Sequence, residues 1–565
     1  MIRRNRSIAI IVVTVFGLIG AGWIVGSDHV QAVGDDYAEN LRLLQQITSQ
    51  IQARYVDEID SKEAVDAAIS GMLDALDPYT EFLEKKKNDE MKMMQIQGKY
   101  GGLGLKIQKQ DDALEVVGLF DDTPAYNVGI QTGDRIVKIE EESTADLDVS
   151  GAADLLRGEP GTSVTISVER EEAEEQIRYT ITRAIITIPV IPYAGIINDS
   201  VGYIKLNHFT EEAGSDVEQS LKKLKAQGAQ GVILDLRRNP GGLLQQAVSV
   251  ASKFLEEGSL VVYTQGRDSR QDKKYSAASD FVMRDLPLVV LVDEYSASAS
   301  EIVAGAIQDW DRGVIVGSTT FGKALVQQIF PMTNGTALKI TTARYYTPSG
   351  RLIQKIDHKN PKSQTSLETE EEREEYHTNS GRVVYGGGGI SPDFATIAPD
   401  YPRLVSKLYQ QGMFVKFASQ HVSLGHDIQR EGFKVDQGLV RSFRDFLDSR
   451  EFTYTSDAET ELNKLEEIAH KRQFRQNIFD SINKLRNQIE DQRDVDFTAG
   501  LDLIKAQIGT ELGAKLWGSE GRYSYAVQHD PDIQAAVQIL NNQEQYRQQL
   551  SSETSGMNQE LSAIR

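Results

Sequence analysis

The chain has 565 residues, of which 40% are hydrophobic and 25% are charged, a composition typical of folded proteins. At about 100–200 residues per domain, it should contain three or four units. Its net charge of -22 argues against a nucleic-acid-binding protein, which needs a basic surface. It has no cysteine, which excludes disulfides, thiolate zinc sites and a cysteine nucleophile.

The N-terminus has the pattern of a membrane-directed segment. Three arginines within the first six residues precede residues 8–25, a run without a charged residue that is long enough to span a membrane. Ala32 supplies the small residue of a signal-peptidase site, so a cleaved signal stays open beside the favoured retained anchor. Either way the basic flank stays inside. We therefore predict that residues 1–34 direct the protein to the periplasm, bound to the inner membrane or released from it.

The next two regions differ in their hydrophobic period. Over residues 35–97, apolar residues recur every three or four positions and predict helices, the second of which stops before Pro78. Residues 98–185 contain short apolar runs broken by glycine, with one short helix predicted over 149–156. These patterns predict an N-terminal helical segment followed by a small β-rich domain.

Strands and helices alternate over residues 186–395. Such alternation is typical of βαβ units around a largely parallel sheet. The acidic run at 368–375 is most simply a solvated segment. Residues 396–565 are polar, rich in Gln, Glu and Asn, and predicted to be helical.

A serine-rich turn follows the predicted strand 286–292. Ser296, Ser298 and Ser300 precede or begin a predicted helix over 299–310. Backbone N–H groups at a helix start can stabilise an oxyanion. Serines at this position are more often helix caps, so the turn alone does not decide its function.

Two other strand ends carry turns that suggest chemistry. The strand after the serine turn ends in 319–323, which places Lys323 close behind a flexible glycine. An earlier strand ends in 235–242, whose twin glycines suit a close backbone approach. Each has an ordinary interpretation by itself, as a solvated lysine or a common βα turn.

Together these segments resemble the carboxy-terminal processing peptidases, or tail-specific proteases, of the S41 family. The resemblance covers roughly residues 37–395. The matching motifs lie at 76–80, 100–104, 157–162, 202–204, 235–242, 296–301, 321–323 and 387–393. It implies an α/β catalytic core of the crotonase/Clp-protease type with an inserted β-rich PDZ domain.

The resemblance also implies a catalytic set. Ser298, the middle serine of the run, would be the nucleophile, Lys323 its base, and Gln327 the residue that orients the lysine. A solvated lysine, with a pKa near ~10.4, keeps its proton at neutral pH. The mechanism therefore requires a lysine that is buried away from carboxylates. No metal or other cofactor is implied.

The family's oxyanion hole is formed by backbone N–H groups. Here Ala299 would provide one, and Gly241 or Gly242 the other. The chain departs from many relatives at Asp293, where they carry asparagine.

The implied PDZ domain would capture substrate tails. A peptide joins such a domain as an added strand, with its terminal carboxylate held by backbone N–H groups. Gly102, Leu103, Gly104 and Leu105 match that loop. Arg157 matches the arginine with which some relatives sense a bound tail and move the PDZ domain off the active site. Equally open is the alternative that the positive charge of Arg157 only stabilises the C-terminal end of the preceding helix.

We therefore predict a serine endopeptidase that cleaves envelope proteins near unstructured C-terminal tails. The alternative is a membrane-tethered PDZ adaptor with an inactive protease-like domain, which has no need to keep Ser298, Lys323 and Gln327 together. The chain has no His-Glu-x-x-His zinc motif and no Gly-x-Ser-x-Gly elbow. The helical extension, 396–565, is assigned to self-association or partner docking.

Overall fold

The computed structural model describes residues 35–551, except for gaps at 111–112, 171–172, 174, 199, 279–281, 284, 356–372, 397–401, 426–427 and 491–492. The predicted signal or anchor, and the acidic run up to residue 372, lie outside the described residues. The chain forms two compact units that divide after Phe82.

The N-terminal unit contains the two predicted helices. They are α1 (Asp35–Arg54) and α2 (Ser61–Asp74). Asp60 caps α2 by accepting the Lys62 N–H at 2.8 Å, and the helix ends before Pro78 as predicted. Beyond it lies a short strand, β1 (Glu81–Leu83), where the sequence pattern indicated helix.

The β-rich domain follows helix α3 (Lys85–Met91). Its elements are β2 (Lys99–Gly102), β3 (Leu105–Gln110), β4 (Ala113–Leu119), α4 (Pro124–Asn127), β5 (Arg135–Ile139), β6 (Glu142–Ser143), α5 (Val149–Leu156), β7 (Ser163–Glu169), β8 (Ile177–Thr182) and β9 (Ala184–Thr187). One antiparallel sheet has the order β3-β4-β5-β7-β8, so β3 is an edge strand. Strands β2 and β9 pair where the chain enters and leaves the domain.

The predicted catalytic core is built on a six-stranded sheet, as the alternating pattern indicated. Its strands, in chain order, are β10 (Tyr193–Ile197), β11 (Val201–Lys205), β12 (Gly231–Asp235), β15 (Leu288–Val292), β16 (Val314–Gly317) and β21 (Phe394–Ala395), and they neighbour one another in that order. All pairs are parallel except β10 with β11. Helices α6 (Ala213–Ala226), α7 (Leu244–Ser252) and α8 (Ala299–Asp309) connect them.

A second sheet lies beside the first. It contains β13 (Leu260–Gly266), β14 (Lys273–Ser276), β17 (Leu325–Pro331) and β18 (Ala337–Tyr346), of which the sequence pattern indicated only β18. A small hairpin, β19 (Glu375–His377) with β20 (Val383–Tyr385), precedes β21.

The described part of the extension is helical, as predicted. Its helices are α9 (Arg403–Gln410), α10 (Met413–Ser423), α11 (Gln437–Ser449), α12 (Asp457–Lys471), α13 (Gln476–Glu490), α14 (Arg493–Ala499), α15 (Leu501–His529), α16 (Pro531–Asn541) and α17 (Gln543–Gln549). Aromatic residues such as Phe414, Phe443 and Phe446 give it a core of its own.

Part of the extension also packs against the six-stranded sheet. One face of the six-stranded sheet packs on α6, α7 and α8, while α16 and α17 cover the other face. Ile533, Val537 and Leu540 contribute to this second apolar cluster, together with strand residues such as Ile233 and Leu291. The end of the helical region is therefore a layer of the domain that contains the six-stranded sheet.

Candidate active site

Three turns meet at one edge of the six-stranded sheet. They follow β12, β15 and β16, which are adjacent parallel strands, so their carboxyl ends share an edge. The turns contain residues 236–243, 293–298 and 318–324. All three segments selected from the sequence are thus brought together.

Ser298 occupies a strained position at the start of α8. Its φ of 55° and ψ of -110° lie in a region that residues other than glycine rarely adopt. The side chain is half-buried, whereas every residue of α8 is buried. This conformation persists only where surrounding contacts hold it, and the structure shows those contacts.

The neighbouring serines hold the turn in place. Ser296 Oγ donates to the Leu236 carbonyl oxygen at 2.9 Å and accepts the Asp293 N–H at 2.9 Å. Ser300 Oγ donates to the Asn239 carbonyl oxygen at 2.8 Å. Both serines are fully buried. They tie the turn after β12 to the turn after β15, a role beyond the helix caps that the sequence indicated.

Glu301 links the segment that contains Ser298 to the segment that contains Lys323. Its Oε2 accepts the N–H groups of Ser298 at 2.8 Å and Lys323 at 3.0 Å. Its Oε1 accepts the Thr320 hydroxyl at 2.6 Å and the Gly322 N–H at 2.7 Å. The side chain is fully buried. One carboxylate thereby fixes the relative position of the two predicted catalytic residues.

Sequence reasoning missed Glu301, although a signal was present. Serine followed three residues later by glutamate is the capping-box pattern, in which the glutamate reaches back to the serine N–H. Burial raises the pKa of Glu301 to about 7, while the hydrogen bonds from Thr320, Lys323, Gly322 and Ser298 act in the opposite direction. The carboxyl group therefore changes charge near neutral pH.

Tyr345 forms a second link between the same segments. Its hydroxyl group lies 2.6 Å from the Lys323 carbonyl oxygen and 3.1 Å from that of Ser298. Burial raises the pKa of Tyr345 well above its usual value, so the hydroxyl keeps the proton it donates. Lys323 itself is half-buried in the turn that precedes β17.

Gln327 lies on β17, four residues beyond Lys323. Its Nε2 donates to Thr341 Oγ1 at 3.2 Å, across the pairing of β17 with β18. This hydrogen bond anchors the side chain to the neighbouring strand, β18. The predicted role of Gln327 in orienting the lysine stays a prediction.

Both predicted oxyanion glycines sit in crowded positions. At Gly241, where φ is 102°, a Cβ would lie 2.9 Å from Ala299 N and 2.9 Å from Ser298 Cβ. At Gly242, where φ is 147°, a Cβ would lie 2.4 Å from a backbone oxygen. Asn239 Oδ1 accepts the Gly241 N–H at 2.9 Å. Ala299 begins α8, so its N–H has no partner within the helix.

Asp293, the departure from the family pattern, is accommodated. Its Oδ1 accepts the N–H groups of Arg238 at 2.8 Å and Tyr295 at 3.1 Å, and lies 3.1 Å from Ser296 Oγ. These contacts use one side-chain oxygen, which asparagine also has. The turn therefore keeps its geometry with aspartate.

The predicted tail-binding residues line one small cavity in the β-rich domain. A cavity of about 60 Å³ is bordered by Gly102, Leu103, Gly104, Leu105 and Arg157. Strand β3, which begins at Leu105, is an edge strand and can accept an added strand. Gly104 has a φ of 85°, and a Cβ there would collide with a threonine side chain at 2.4 Å.

Arg157 directly follows α5 at the rim of this cavity. Its backbone N–H donates to the Ala153 carbonyl oxygen at 2.9 Å. Its guanidinium carbon lies 5.8 Å from the centre of the Tyr100 ring. An exposed ion pair with Asp154 has a separation of 4.0 Å. The structure thus places Arg157 beside the predicted tail-binding residues, and its gating role stays a prediction.

The described residues show neither a cluster of metal ligands nor a membrane-spanning helix. Over that part of the chain, no three His, Cys, Asp or Glu side chains are grouped as metal ligands. None of the helices described is long and apolar enough to span a membrane.

Known proteins resemble the chain over its central part. A carboxy-terminal-processing protease of Bartonella bacilliformis is 38% identical over 314 residues, which cover 55% of this chain and 71% of that protein. The chain belongs to the carboxy-terminal-processing proteases of peptidase family S41. A carboxyl-terminal-processing protease of Synechocystis is 36% identical over 315 residues, 54% of this chain and 72% of that protein. The photosystem II D1 C-terminal processing protease is 28% identical, covers 55% and 90% of the two chains, and superposes with a TM-score of 0.36.

Four family descriptions match successive parts of this protease. They are the activating protease CtpB N-terminal domain over residues 25–87, the PDZ domain over 117–170, peptidase family S41 over 200–360, and the C-terminal helical domain of probable PDZ-proteases over 404–540. The chain is thus a serine protease of the C-terminal-processing type with a PDZ domain, and the inactive adaptor is not favoured. The last match carries the resemblance into the helical extension, beyond the limit of 395 inferred from motifs.

Proposed function

We propose that this protease is an endopeptidase that cuts envelope proteins near their C-termini, with Ser298 as nucleophile and Lys323 as base. The observation that carries the proposal is the shared anchoring of the two residues. Glu301 Oε2 binds both of their N–H groups, at 2.8 and 3.0 Å, and the Tyr345 hydroxyl lies against both of their carbonyl oxygens. A pair held by two common partners has the fixed geometry that nucleophilic catalysis needs.

In the proposed reaction, Ser298 Oγ attacks the carbonyl carbon of the scissile peptide and its proton passes to neutral Lys323 Nζ. The resulting oxyanion lies against the N–H of Ala299 and a glycine N–H of the 241–242 turn. When the C–N bond breaks, Lys323 gives the proton to the leaving amine. A water molecule then hydrolyses the acyl-enzyme with the same lysine as base.

The PDZ domain would select substrates by their tails. An unstructured C-terminal segment would pair with edge strand β3, and its carboxylate would meet the backbone N–H groups of Leu103, Gly104 and Leu105. Arg157 would sense the bound tail at the rim of the groove. Tail binding can act as a switch only if it favours one position of the PDZ domain over another.

The nucleophile is tested by Ser298→Ala in the full-length chain, with an unfolded protein bearing a free C-terminal tail as substrate. We expect no cleavage and retained folding, because a capping hydroxyl contributes at most about 2 kcal/mol. Ser456→Ala is a matched control. Ser456 also forms a capping box, with Glu459, but in the helical domain, so its loss should leave cleavage unchanged. Wild-type cleavage by Ser298→Ala would overturn the assignment.

Tail capture is tested by comparing one substrate with a free and an amidated C-terminus. The free form should be cut faster, since only it presents a carboxylate to the groove. Equal initial rates would show that carboxylate capture does not operate.

Location and assembly complete the proposal. The protease would act outside the cytoplasm, held at the inner membrane by residues 1–34 or released from it. If an externally added protease cannot reach the catalytic domain in spheroplasts, this location is wrong. Self-association through the helical extension is tested by light scattering of the full-length chain. A monomeric mass across the working concentration range would remove it.

A further inference from the structure

Helix α16 of the helical extension begins beside the edge of the six-stranded sheet where the three turns meet. Its capping residue Asp530 accepts the Ile533 N–H at 3.1 Å. Asp530 and Asp532 also accept hydrogen bonds from Arg237 Nη1, at 3.0 and 2.9 Å. Arg237 belongs to the turn after β12, which carries Gly241 and Gly242. Two carboxylates of the extension thus contact the turn that would supply an oxyanion donor.

The other side of the Arg237 guanidinium is held by the sheet. Nη2 donates to Asp235 Oδ2 at 2.7 Å, and Nε lies 3.2 Å from each Asp235 oxygen. Asp235 is 1% exposed and also accepts from the Tyr203 hydroxyl at 2.7 Å and Lys205 Nζ at 3.2 Å. Although burial acts to raise it, the charges of Arg237 and Lys205 hold the pKa of Asp235 well below its usual range. Because Asp235 binds one side of the planar guanidinium and Asp530 and Asp532 bind the other, the group is fixed in one orientation.

The backbone of the turn connects Arg237 to the segment that contains Ser298. The next residue, Arg238, has a φ of 57°, which costs energy in a residue other than glycine. The following residue, Asn239, accepts the Ala297 N–H at 3.1 Å through its carbonyl oxygen. Ala297 directly precedes Ser298. A shift of Arg237 would therefore move the glycine turn relative to Ser298.

We propose that Asp530 and Asp532 are positioning residues for peptide-bond cleavage, which hold Arg237 and through it the glycine turn in register with Ser298. The inference rests on the proposed function of Ser298. Misplacing a catalytic group by 1 Å can lower the rate about 10²-fold, and the loss of one oxyanion donor has an effect of similar size. The hydrogen bonds from Arg237 to Asp530 and Asp532 would position the oxyanion donor and take no part in tail capture. Its loss should therefore lower kcat and leave KM unchanged.

The test uses the full-length double variant Asp530→Asn/Asp532→Asn. Asparagine is also a good helix cap, so the start of α16 is preserved while the charges that hold Arg237 are removed. Two assays are used: cleavage of an unfolded tailed protein, which gives kcat and KM, and binding of a peptide aldehyde whose adduct with serine places an oxygen in the oxyanion hole. We expect kcat and aldehyde affinity each to fall between about 10- and 100-fold, with KM within about twofold of the wild type.

Asp436→Asn is the matched control. Asp436 caps α11, another helix of the extension, by accepting the Leu439 N–H at 2.8 Å. It should keep wild-type kcat and aldehyde affinity. Wild-type values in the double variant would overturn the proposal. So would a lower kcat with unchanged aldehyde affinity, because that combination means only a smaller folded fraction.

A second variant covers failure of the double variant to fold. Asp532→Asn alone leaves the Asp530 cap in place, and the same two measurements on it decide the question. Failure of the proposed function is recognised separately. If Ser298→Ala still cleaves, the nucleophile is wrong whatever the aspartate variants do.

Discussion

Replacing Glu301 by glutamine should disable the protease without unfolding it. The carboxylate is fully buried and accepts four hydrogen bonds, two at each oxygen. Glutamine keeps one accepting oxygen. If that oxygen faces Ser298 and Lys323, the new amide can donate to the Thr320 hydroxyl oxygen, while the Thr320 O–H and the Gly322 N–H both lose their acceptor. Two buried unpaired donors cost about 1–3 kcal/mol each, which a folded domain can tolerate.

Alanine at the same position should be far worse. It leaves all four donors without an acceptor, at about 1–3 kcal/mol each, which approaches the whole stability of a typical domain. We therefore expect Glu301→Ala to unfold. We expect Glu301→Gln to fold but to lose about 10²-fold in kcat, because the displaced Gly322 directly precedes Lys323. Circular dichroism and initial cleavage rates separate the two outcomes.

Glu459→Gln is the matched control for this variant. Glu459 occupies the same capping-box position beside Ser456, in the helical domain, and should leave kcat unchanged. Glu301→Gln with wild-type activity and stability would refute the assigned role of Glu301.

Because Glu301 can ionise and glutamine cannot, the stability difference between wild type and Glu301→Gln should depend on pH. Folding raises the pKa of Glu301 from 4.5 to about 7. Its contribution to stability is therefore full below pH 4.5 and is lost as the pH rises through about 7. At 1.36 kcal/mol per pKa unit, the change is about 3 kcal/mol. Denaturant unfolding at pH 4.5 and pH 8 gives the free energy of unfolding of wild type and of Glu301→Gln. The difference between the two proteins should change by about 3 kcal/mol from one pH to the other. A constant difference would refute the shift.

Three further substitutions have clear expectations. Lys323→Arg should show no cleavage on gels, because a guanidinium stays protonated, and an active variant would remove lysine as the base. Arg157→Ala should lower the initial rate on a free-tailed substrate at least severalfold and leave the amidated substrate unaffected, whereas equal effects on both would contradict tail sensing. Glu115→Leu should raise stability by about 1–3 kcal/mol in thermal unfolding, since this carboxylate is buried and neither oxygen has a hydrogen-bond partner among the described residues. Because burial raises the pKa of Glu115, the gain should grow as the pH rises and shrink in acid, and a destabilised variant would count against it.

The parallel sheet was predictable because its strands are buried on both faces. Strands β12 and β15 are buried throughout, so they form continuous apolar runs between helices of ordinary length. The missed strands lack that signal. Most of β14 is exposed, and no residue of β17 is fully buried, so neither shows a clean alternation of apolar and polar residues.

The site was predictable only where its residues lie close in sequence. Ser298, Ala299 and the glycine pair stand in short motifs at strand ends. Glu301 instead acquires its role from Thr320, Gly322 and Lys323, which reach it through the fold.

The partners of Arg237 lie further away in sequence. Asp530 and Asp532 follow it by nearly three hundred positions. Periodicity and short motifs carry no information about pairs at such distances.

The cover that α16 provides for the catalytic sheet has a consequence for synthesis. Strand residues such as Ile233 leave the ribosome about 300 residues before Ile533, which packs over the same face, and at about 5–20 residues per second this takes about 15–60 s. During that interval one apolar face of the sheet has no cover from this chain, and Arg237 has no Asp530. We therefore expect a nascent chain to bind chaperones at this face and to have no peptidase activity until α16 has been translated.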